Sequence, residues 1–262
     1  MTAIVSFTDD SRYAYFAPLV KWAWEKIGHD SHFLIPNRSK NNPIWRLIYE
    51  YTQPQFYSYF NSDIEKEVTY SQVGRLYMAS EFGECDDVLI CSDADMLPIN
   101  KNFFDNISNG NINIVGYDLV PDGQYPMCYC AMTSKDWIKA MGIGSSSFQE
   151  MLDKEIGQLQ SITFRGDFWS RDQWLLYKNL QDENVNLMPR SNGQNQFATK
   201  RYDRDDSFIL DRLSPDTIDF HMPRPGYEDR NFQIILTILQ YHYPNDDFGW
   251  LIDYNEKYKK LL

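Results

Sequence analysis

The sequence is poor in cysteine, in positive charge and in long apolar runs, and each shortage excludes something. Its four cysteines, Cys85, Cys91, Cys128 and Cys130, form no CxxC pair in 262 residues, so neither a zinc ribbon nor a dithiol redox motif is available. Cys128 and Cys130 stand two apart and are expected on one face of a strand, as buried free thiols. Lys and Arg number 25 against 37 Asp and Glu, a net charge of −12, which argues against nucleic acid as a partner. An anionic small ligand remains admissible if a metal and a few arginines offset the field locally. No apolar run approaches the ~18 residues of a membrane span. The first residues show no basic stretch followed by an apolar one, so a soluble, cytoplasmic protein is expected. There is no internal repeat and no low-complexity tail, and nothing fixes an oligomeric state.

What is present suits a large core. Hydrophobic residues make up 43% and aromatics 16%, and excess surface Tyr and Trp can stack on sugar rings. The length fits one large α/β domain with a C-terminal extension. Residues 3–7 read as a strand, 13–27 as a helix stopped by Gly28, and 32–35 as a second strand, the opening of a βαβ unit. Residues 37–42 are polar and read as a loop, and the aromatic-rich 44–60 as helical or partly irregular. Residues 71–82 read as a helix, 112–115 and 127–132 as strands, and 137–141 as a helix capped by Ser134. The polar stretch 191–207, with Lys200, Arg201 and Arg204, is expected as a loop over a site. Residues 229–241 form a final amphipathic pattern.

The richest stretch is Asp87-Val88-Leu89-Ile90-Cys91-Ser92-Asp93-Ala94-Asp95-Met96-Leu97-Pro98. An apolar run of this kind reads as a buried strand, and ligands of open α/β sheets bind beyond the carboxyl ends of such strands. Two aspartates at i and i+2 can face the same way. They repel unless a cation lies between them, which points to a divalent-metal site. On this reading, removing one of the two should relieve strain when no metal is bound. His221 sits in Asp219-Phe220-His221-Met222-Pro223-Arg224-Pro225-Gly226, where two prolines and a glycine are expected to hold it in a non-helical loop. Arg224 could reach an anionic ligand there. Asp172 and Gln173 precede an apolar helix stripe begun by Trp174 and Leu175. Arg165 and Asp167 stand near them in sequence.

The ordered set resembles the GT-A glycosyltransferases, the nucleotide-sugar enzymes with a DxD motif, and in detail the glycogenin-like branch. The resemblance covers residues 1–226. It rests on a strand-helix-strand start, a helix with Arg75, the strand into Asp93-Ala94-Asp95, the later Asp172-Gln173 pair and His221. It implies an α/β fold with a mixed, mainly parallel sheet flanked by helices, and a helical extension over 227–262 packed on the same domain. It implies a sugar transferase, hexosyl or pentosyl, that moves a sugar from a UDP-linked donor to a glycan or other hydroxyl acceptor. The implied cofactor is Mn²⁺ or Mg²⁺. By the family pattern Asp93, Asp95 and His221 hold the metal, and Asp93 and Ala94 also border the donor. Arg75 and Arg224 reach sugar or diphosphate, and Arg224 stands where the family more often has lysine. Phe7, Thr8 and Asp9 border the uracil, and Asp172 and Gln173 face the sugar. The Asp-Gln pair tilts the stereochemistry toward retention; with Asp172 as a general base it would be inversion.

Two other readings compete. Haloacid-dehalogenase-like phosphatases also end an apolar strand in DxD, but their motif lies near the N-terminus, and Leu97 stands where they carry Thr or Val. A non-catalytic GT-A-like nucleotide-sugar binding module would not need Asp93, Asp95 and His221 together. A sugar nucleotidyltransferase opens with a glycine-rich loop, and residues 2–13 contain no glycine.

Overall fold

The computed structural model describes residues 1–53, 56–117, 120–161, 170–188, 201–205 and 209–262. The chain opens with β1 (Thr2–Ser6). Helix α1 (Ser11–Ala14), capped by the Asp10 side chain, leads into α2 (Ala17–Lys26), with Pro18 in its first turn. Proline is accepted where a helix begins because its missing N–H would find no partner there, so the segment 13–27 forms two helices. Gly28, at φ 85°, makes the turn into β2 (Asp30–Pro36). Segment 37–42 contains a 3₁₀ turn, and segment 44–60 divides into α3 (Pro43–Tyr51), capped by Asn42, and β3 (Tyr57–Phe60). Next come α4 (Glu67–Tyr77), α5 (Ala79–Phe82) and β4 (Val88–Ser92), every residue of which is buried. They are followed by β5 (Met96–Pro98), α6 (Lys101–Ile107), β6 (Ile112–Val115), β7 (Tyr129–Thr133) and α7 (Ser134–Ala140). Thr133, not Ser134, caps α7 by accepting from the Asp136 amide. The remaining elements are α8 (Phe148–Ser161), α9 (Arg171–Asn179), β8 (Val185–Met188), β9 (Arg201–Asp203), β10 (Asp219–His221), α10 (Asp229–His242) and α11 (Gly249–Lys259).

The main sheet has the order β3-β2-β1-β4-β7-β6-β8. All its pairings are parallel except those of β7, which runs antiparallel to both β4 and β6. Both faces of the sheet are covered, which is why its inner strands read as unbroken apolar runs. Trp24, Trp45, Phe104 and Tyr129 fill one side, and Leu34, Leu76, Met132 and Leu152 the other. Cys128 precedes β7 and so escapes its alternation. It packs with Tyr129 and Ala131, while Cys130 faces the opposite core. The two therefore do not share a face, although both are buried free thiols.

Helix α4 lies close on the sheet. A Cβ at Gly74 would come within 2.7 Å of Leu34 Cδ2, so only glycine allows this approach without a shift. Helices α10 and α11 pack into the first core. Tyr254 and Tyr258 donate their hydroxyls to the carbonyls of Tyr15 and Ser11 at 3.0 and 2.6 Å.

A second sheet of three short strands, β5-β10-β9, forms beside the first. β10 runs antiparallel to β5, pairing His221 with Met96, and parallel to β9, pairing His221 with Asp203. Arg201 grips the fully buried Asp219 through two parallel hydrogen bonds of 3.1 and 2.9 Å and ties β9 to β10. His221 is therefore the last residue of a strand rather than a loop residue. Part of the polar stretch 191–207 is also strand. Residues 189–200 and 206–208 of that region, and 162–169 with Arg165 and Asp167, lie outside the described residues.

Candidate active site

The carboxyl ends of β1 and β4 open on one cleft of about 610 Å³, a size suited to a nucleotide-sized ligand. β4 stops at Ser92, and residues 93–95 make a turn closed by the Met96 amide on the Asp93 carbonyl at 3.2 Å. The alternation of a strand does not extend through this turn, so Asp93 and Asp95 part, although both line the cleft.

Asp93 faces Arg75, whose Nη1 donates to its Oδ1 at 2.7 Å. From the other side Arg75 donates through Nε to Asp172 Oδ2 at 3.2 Å and through Nη2 to the same oxygen. Arg75 is 8% exposed and Asp172 1%. Burial penalises both charges. It raises the Asp172 carboxyl, with Arg75 opposing. Burial also pulls Arg75 down, but Asp172 and Asp93 outweigh it and hold its guanidinium above the usual range. Asp172 lies in the first turn of α9, and its Oδ1 accepts from the Gln173 amide at 2.9 Å. Both of its oxygens are thus engaged. Gln173 lines the cleft beside it.

Asp95, 5% exposed, gathers cations. Its Oδ2 accepts from Arg204 Nη1 at 2.7 Å and stands 3.2 Å from Arg224 Nε and 3.3 Å from His221 Nε2. The other imidazole nitrogen of His221 lies 3.6 Å from Asp203 Oδ1. Burial pushes the His221 imidazole down, but Asp203 and Asp95 outweigh it and raise it to about 9. In return His221 holds the Asp203 carboxyl at about 2. A metal ligand must be the neutral imidazole, so an ion bound here would have to displace this proton. Arg224 lays its guanidinium 4.6 Å from the ring centre of Tyr13, a cation–π contact.

Among the described residues no three Asp, Glu, His or Cys side chains close on a point that would hold a metal. Asp95 and His221 do converge, and adjacent donors on one Mn²⁺ or Mg²⁺ ion stand about 3 Å apart when each bond is about 2.1 Å. Carboxylate and imidazole oxygen and nitrogen donors suit that ion chemically. Asp93, expected as a further ligand, is paired with Arg75.

At the end of β1, Phe7 does not reach the cleft. Its ring is core, edge-on to Phe33 and Trp45 at 5.0 and 5.8 Å. Thr8 and Asp9 do line the cleft, as does Ala94. Asp9 accepts from Arg38 Nε at 2.8 Å and from the Ser39 hydroxyl, and its own amide donates to Glu67 at 2.7 Å. Arg38 and Glu67 escaped sequence reading because they come from separate elements with no shared motif. Arg204 was visible only as one charge in a polar stretch.

No family model matches the chain, and no curated protein matches it. Solved structures do. The galactosyltransferase LgtC, in complex with donor and acceptor sugar analogues, aligns over 100% of both chains with a TM-score of 0.50 and 12% identity. The glycosyltransferase GlyE of Streptococcus pneumoniae aligns over 99% of this chain and 63% of its own, with a TM-score of 0.51 and 12% identity. At such identity the likeness is one of fold. With one antiparallel strand in an otherwise parallel seven-stranded sheet and its cleft at the ends of β1 and β4, the chain has the GT-A glycosyltransferase fold.

Proposed function

We propose that the chain is a metal-dependent glycosyltransferase that moves a sugar from a UDP-linked donor to a glycan or other hydroxyl acceptor. The observation that carries this reading is the meeting of Asp95 and His221 at the mouth of β4, inside a cleft that also holds Arg75, Asp172 and Gln173. The donor's base would lie by Thr8 and Asp9, its diphosphate by Asp95 and Arg224, and its sugar by Arg75, Asp93 and Gln173. Asp95 and His221 would hold Mn²⁺ or Mg²⁺, and Asp93 would join them only by leaving Arg75, with which it is paired here. When bound, such an ion supplies Lewis-acid stabilisation of the charge that develops on the leaving diphosphate.

Transfer breaks the bond between the sugar's anomeric carbon and the phosphate oxygen and forms one to the acceptor oxygen. The acceptor's proton must leave. Asp172 is a poor base for it, because its carboxylate is buried and held by Arg75 and the Gln173 amide. We therefore read retention, with the proton passing to the departing diphosphate. Asp172 orients Arg75, which orients Asp93, and Gln173 is the side chain of the Asp-Gln pair that meets the sugar.

The test is a panel of nucleotide sugars with and without Mn²⁺, read first as thermal shift and then as donor hydrolysis. A bound ligand raises apparent stability by mass action. The expected result is a shift with UDP-sugars that needs the metal, and hydrolysis that chelator abolishes and Mn²⁺ restores. Full activity in excess chelator would overturn the metal assignment, and turnover of a generic phosphate ester alone would favour a phosphatase.

A further inference from the structure

Beyond the main cleft the hollow continues. A cavity of about 430 Å³ adjoins the end assigned to the donor's diphosphate, and Arg12, Tyr13, Arg204 and Arg224 line both spaces. On its other side it shares Arg204, Asp205, Pro223 and Asn231 with a third cavity of about 600 Å³, which is also lined by Leu210 and Ile234. The main cleft alone is of a size for the donor, so the two further cavities have room for a second substrate.

Three guanidiniums meet at the middle cavity, in a chain whose net charge is −12. Asp10 takes Nε and Nη2 of Arg12 at 3.0 and 2.6 Å. Arg204 Nη1 and Arg224 Nε share one oxygen of Asp95, and Tyr13 stacks against the Arg224 guanidinium. Asn231 Nδ2 donates to the Pro225 carbonyl at 2.8 Å and ties the loop that carries Arg224 to α10. Among the described residues lining this cavity the one carboxylate is Asp205, which is exposed. Two guanidiniums on a single carboxylate leave positive charge in excess there. An oxyanion would offset it, and planar Arg donors match phosphate and carboxylate oxygens two at a time. Elsewhere so acidic a chain repels such a ligand.

The direction of attack puts the acceptor on this side. With retention, and with the acceptor's proton passing to the departing diphosphate, the acceptor hydroxyl must lie within hydrogen-bond reach of that diphosphate. The rest of the acceptor then extends over the residues that border the diphosphate, Arg224 among them, and away from Gln173.

We propose that the cavity between Arg12, Arg204 and Arg224 is the anion subsite of the acceptor. The acceptor is a hydroxyl compound that carries a phosphate or carboxylate near the hydroxyl that takes the sugar, with its remainder in the third cavity against Leu210, Pro223 and Ile234. The inference rests on the reading of the main cleft as a nucleotide-sugar site and names the class of its second substrate. None of the three arginines needs a bound ion for this role.

The experiment is calorimetric titration of protein saturated with UDP and Mg²⁺, using glycerol 3-phosphate, glycerate and glycerol as probes at constant ionic strength. At least one of the anions should bind about tenfold or more tightly than glycerol, the scale of one charge-assisted contact, and the tighter of the two tells phosphate from carboxylate. Arg12→Gln should weaken that anion about tenfold and leave the affinity for UDP unchanged. The Arg12 side chain is 59% exposed, and circular dichroism checks that the variant is folded; the wild-type comparison of charged with neutral probes carries the test if it is not. Anions that bind only without UDP, or an Arg12→Gln protein that loses UDP affinity instead, would overturn the proposal, because the arginines would then serve the donor's diphosphate. Anions that bind no better than glycerol would overturn it as well. Absence of UDP binding by wild type would instead sink the nucleotide-sugar reading itself, and this proposal with it.

Discussion

Met222 donates its amide to the Asp95 carbonyl at 2.8 Å, and this bond extends the β5–β10 ladder by one step into the turn that follows β4. The residue before Met222 is His221, which pairs with Met96, the residue after Asp95. Backbone pairing therefore brings the imidazole to the carboxylate. Neither side chain has to be drawn across a loop, so the pair is pre-organised for whatever it binds.

Asp95→Ala should lower sugar transfer by at least about 10²-fold, on the order of 3 kcal/mol of barrier. It should also destabilise the fold by about 2 kcal/mol, because Arg204, Arg224 and His221 would be left facing one another without their carboxylate. This reverses the expectation, drawn from two adjacent aspartates, that removing one relieves strain. Urea unfolding of the variant decides between the two, and stability equal to wild type would favour the simpler view.

Asp172 and Gln173 should separate in their effects. Asp172→Asn breaks a buried ion pair and should cost about 3 kcal/mol of stability together with most of the activity. Gln173→Ala should keep the midpoint of unfolding and the affinity for UDP with Mn²⁺, while lowering the turnover number at least about tenfold. Steady-state kinetics beside denaturation curves would show it. Equal damage to folding in both would mean that Gln173 is a structural residue.

Gly74→Ala should destabilise the protein by about 1–3 kcal/mol, the usual cost of forcing a methyl into a packed core. The added carbon meets Leu34 at 2.7 Å and Leu152 at 3.5 Å. Because Arg75 is the next residue, donor binding should weaken as well. Chemical denaturation together with UDP titration is the check.

Stability should fall as the pH drops from about 6.5 toward 4. Burial holds the His32 imidazole down at about 4, and Nε2 lies 2.8 Å from the Ser58 hydroxyl. Above about 6.5 neither the folded nor the unfolded chain protonates it, so it contributes no pH dependence. Below that the unfolded state takes up a proton that the folded state refuses, and stability is lost until the folded value is reached, by on the order of 3 kcal/mol. His32→Asn should flatten this part of the curve of melting temperature against pH. A variant with the same slope as wild type would show that other groups set it.

The sequence was most legible where one local pattern decides the outcome. The apolar runs at β1, β4 and β6 named their own strands, since residues buried on both faces must be apolar throughout. The order of strand, helix and Asp93-Ala94-Asp95 was enough to point to the GT-A fold. Helix α8 carries Phe148, Met151, Leu152 and Ile156 at helical spacing, all buried, although it belongs to no motif. The edge strand β3 merged with α3 into one aromatic stretch, because aromatic residues serve both helix and strand and the break between them is short.

By itself the sequence determined the chemistry on offer: an acidic chain with two aspartates beyond a buried strand, one histidine ahead of two prolines and a few arginines. Which of these meet was decided only by tertiary structure. The three-residue strands β5, β9 and β10 are too short to carry a period, and β5 finds its partner β10 more than a hundred residues later. That pairing set His221 and Arg204 on Asp95, and the packing of α4 against β1, β2 and α9 set Arg75 between Asp93 and Asp172. A carboxylate in a sequence has no partner until the fold supplies one, and here burial made each partner a cation.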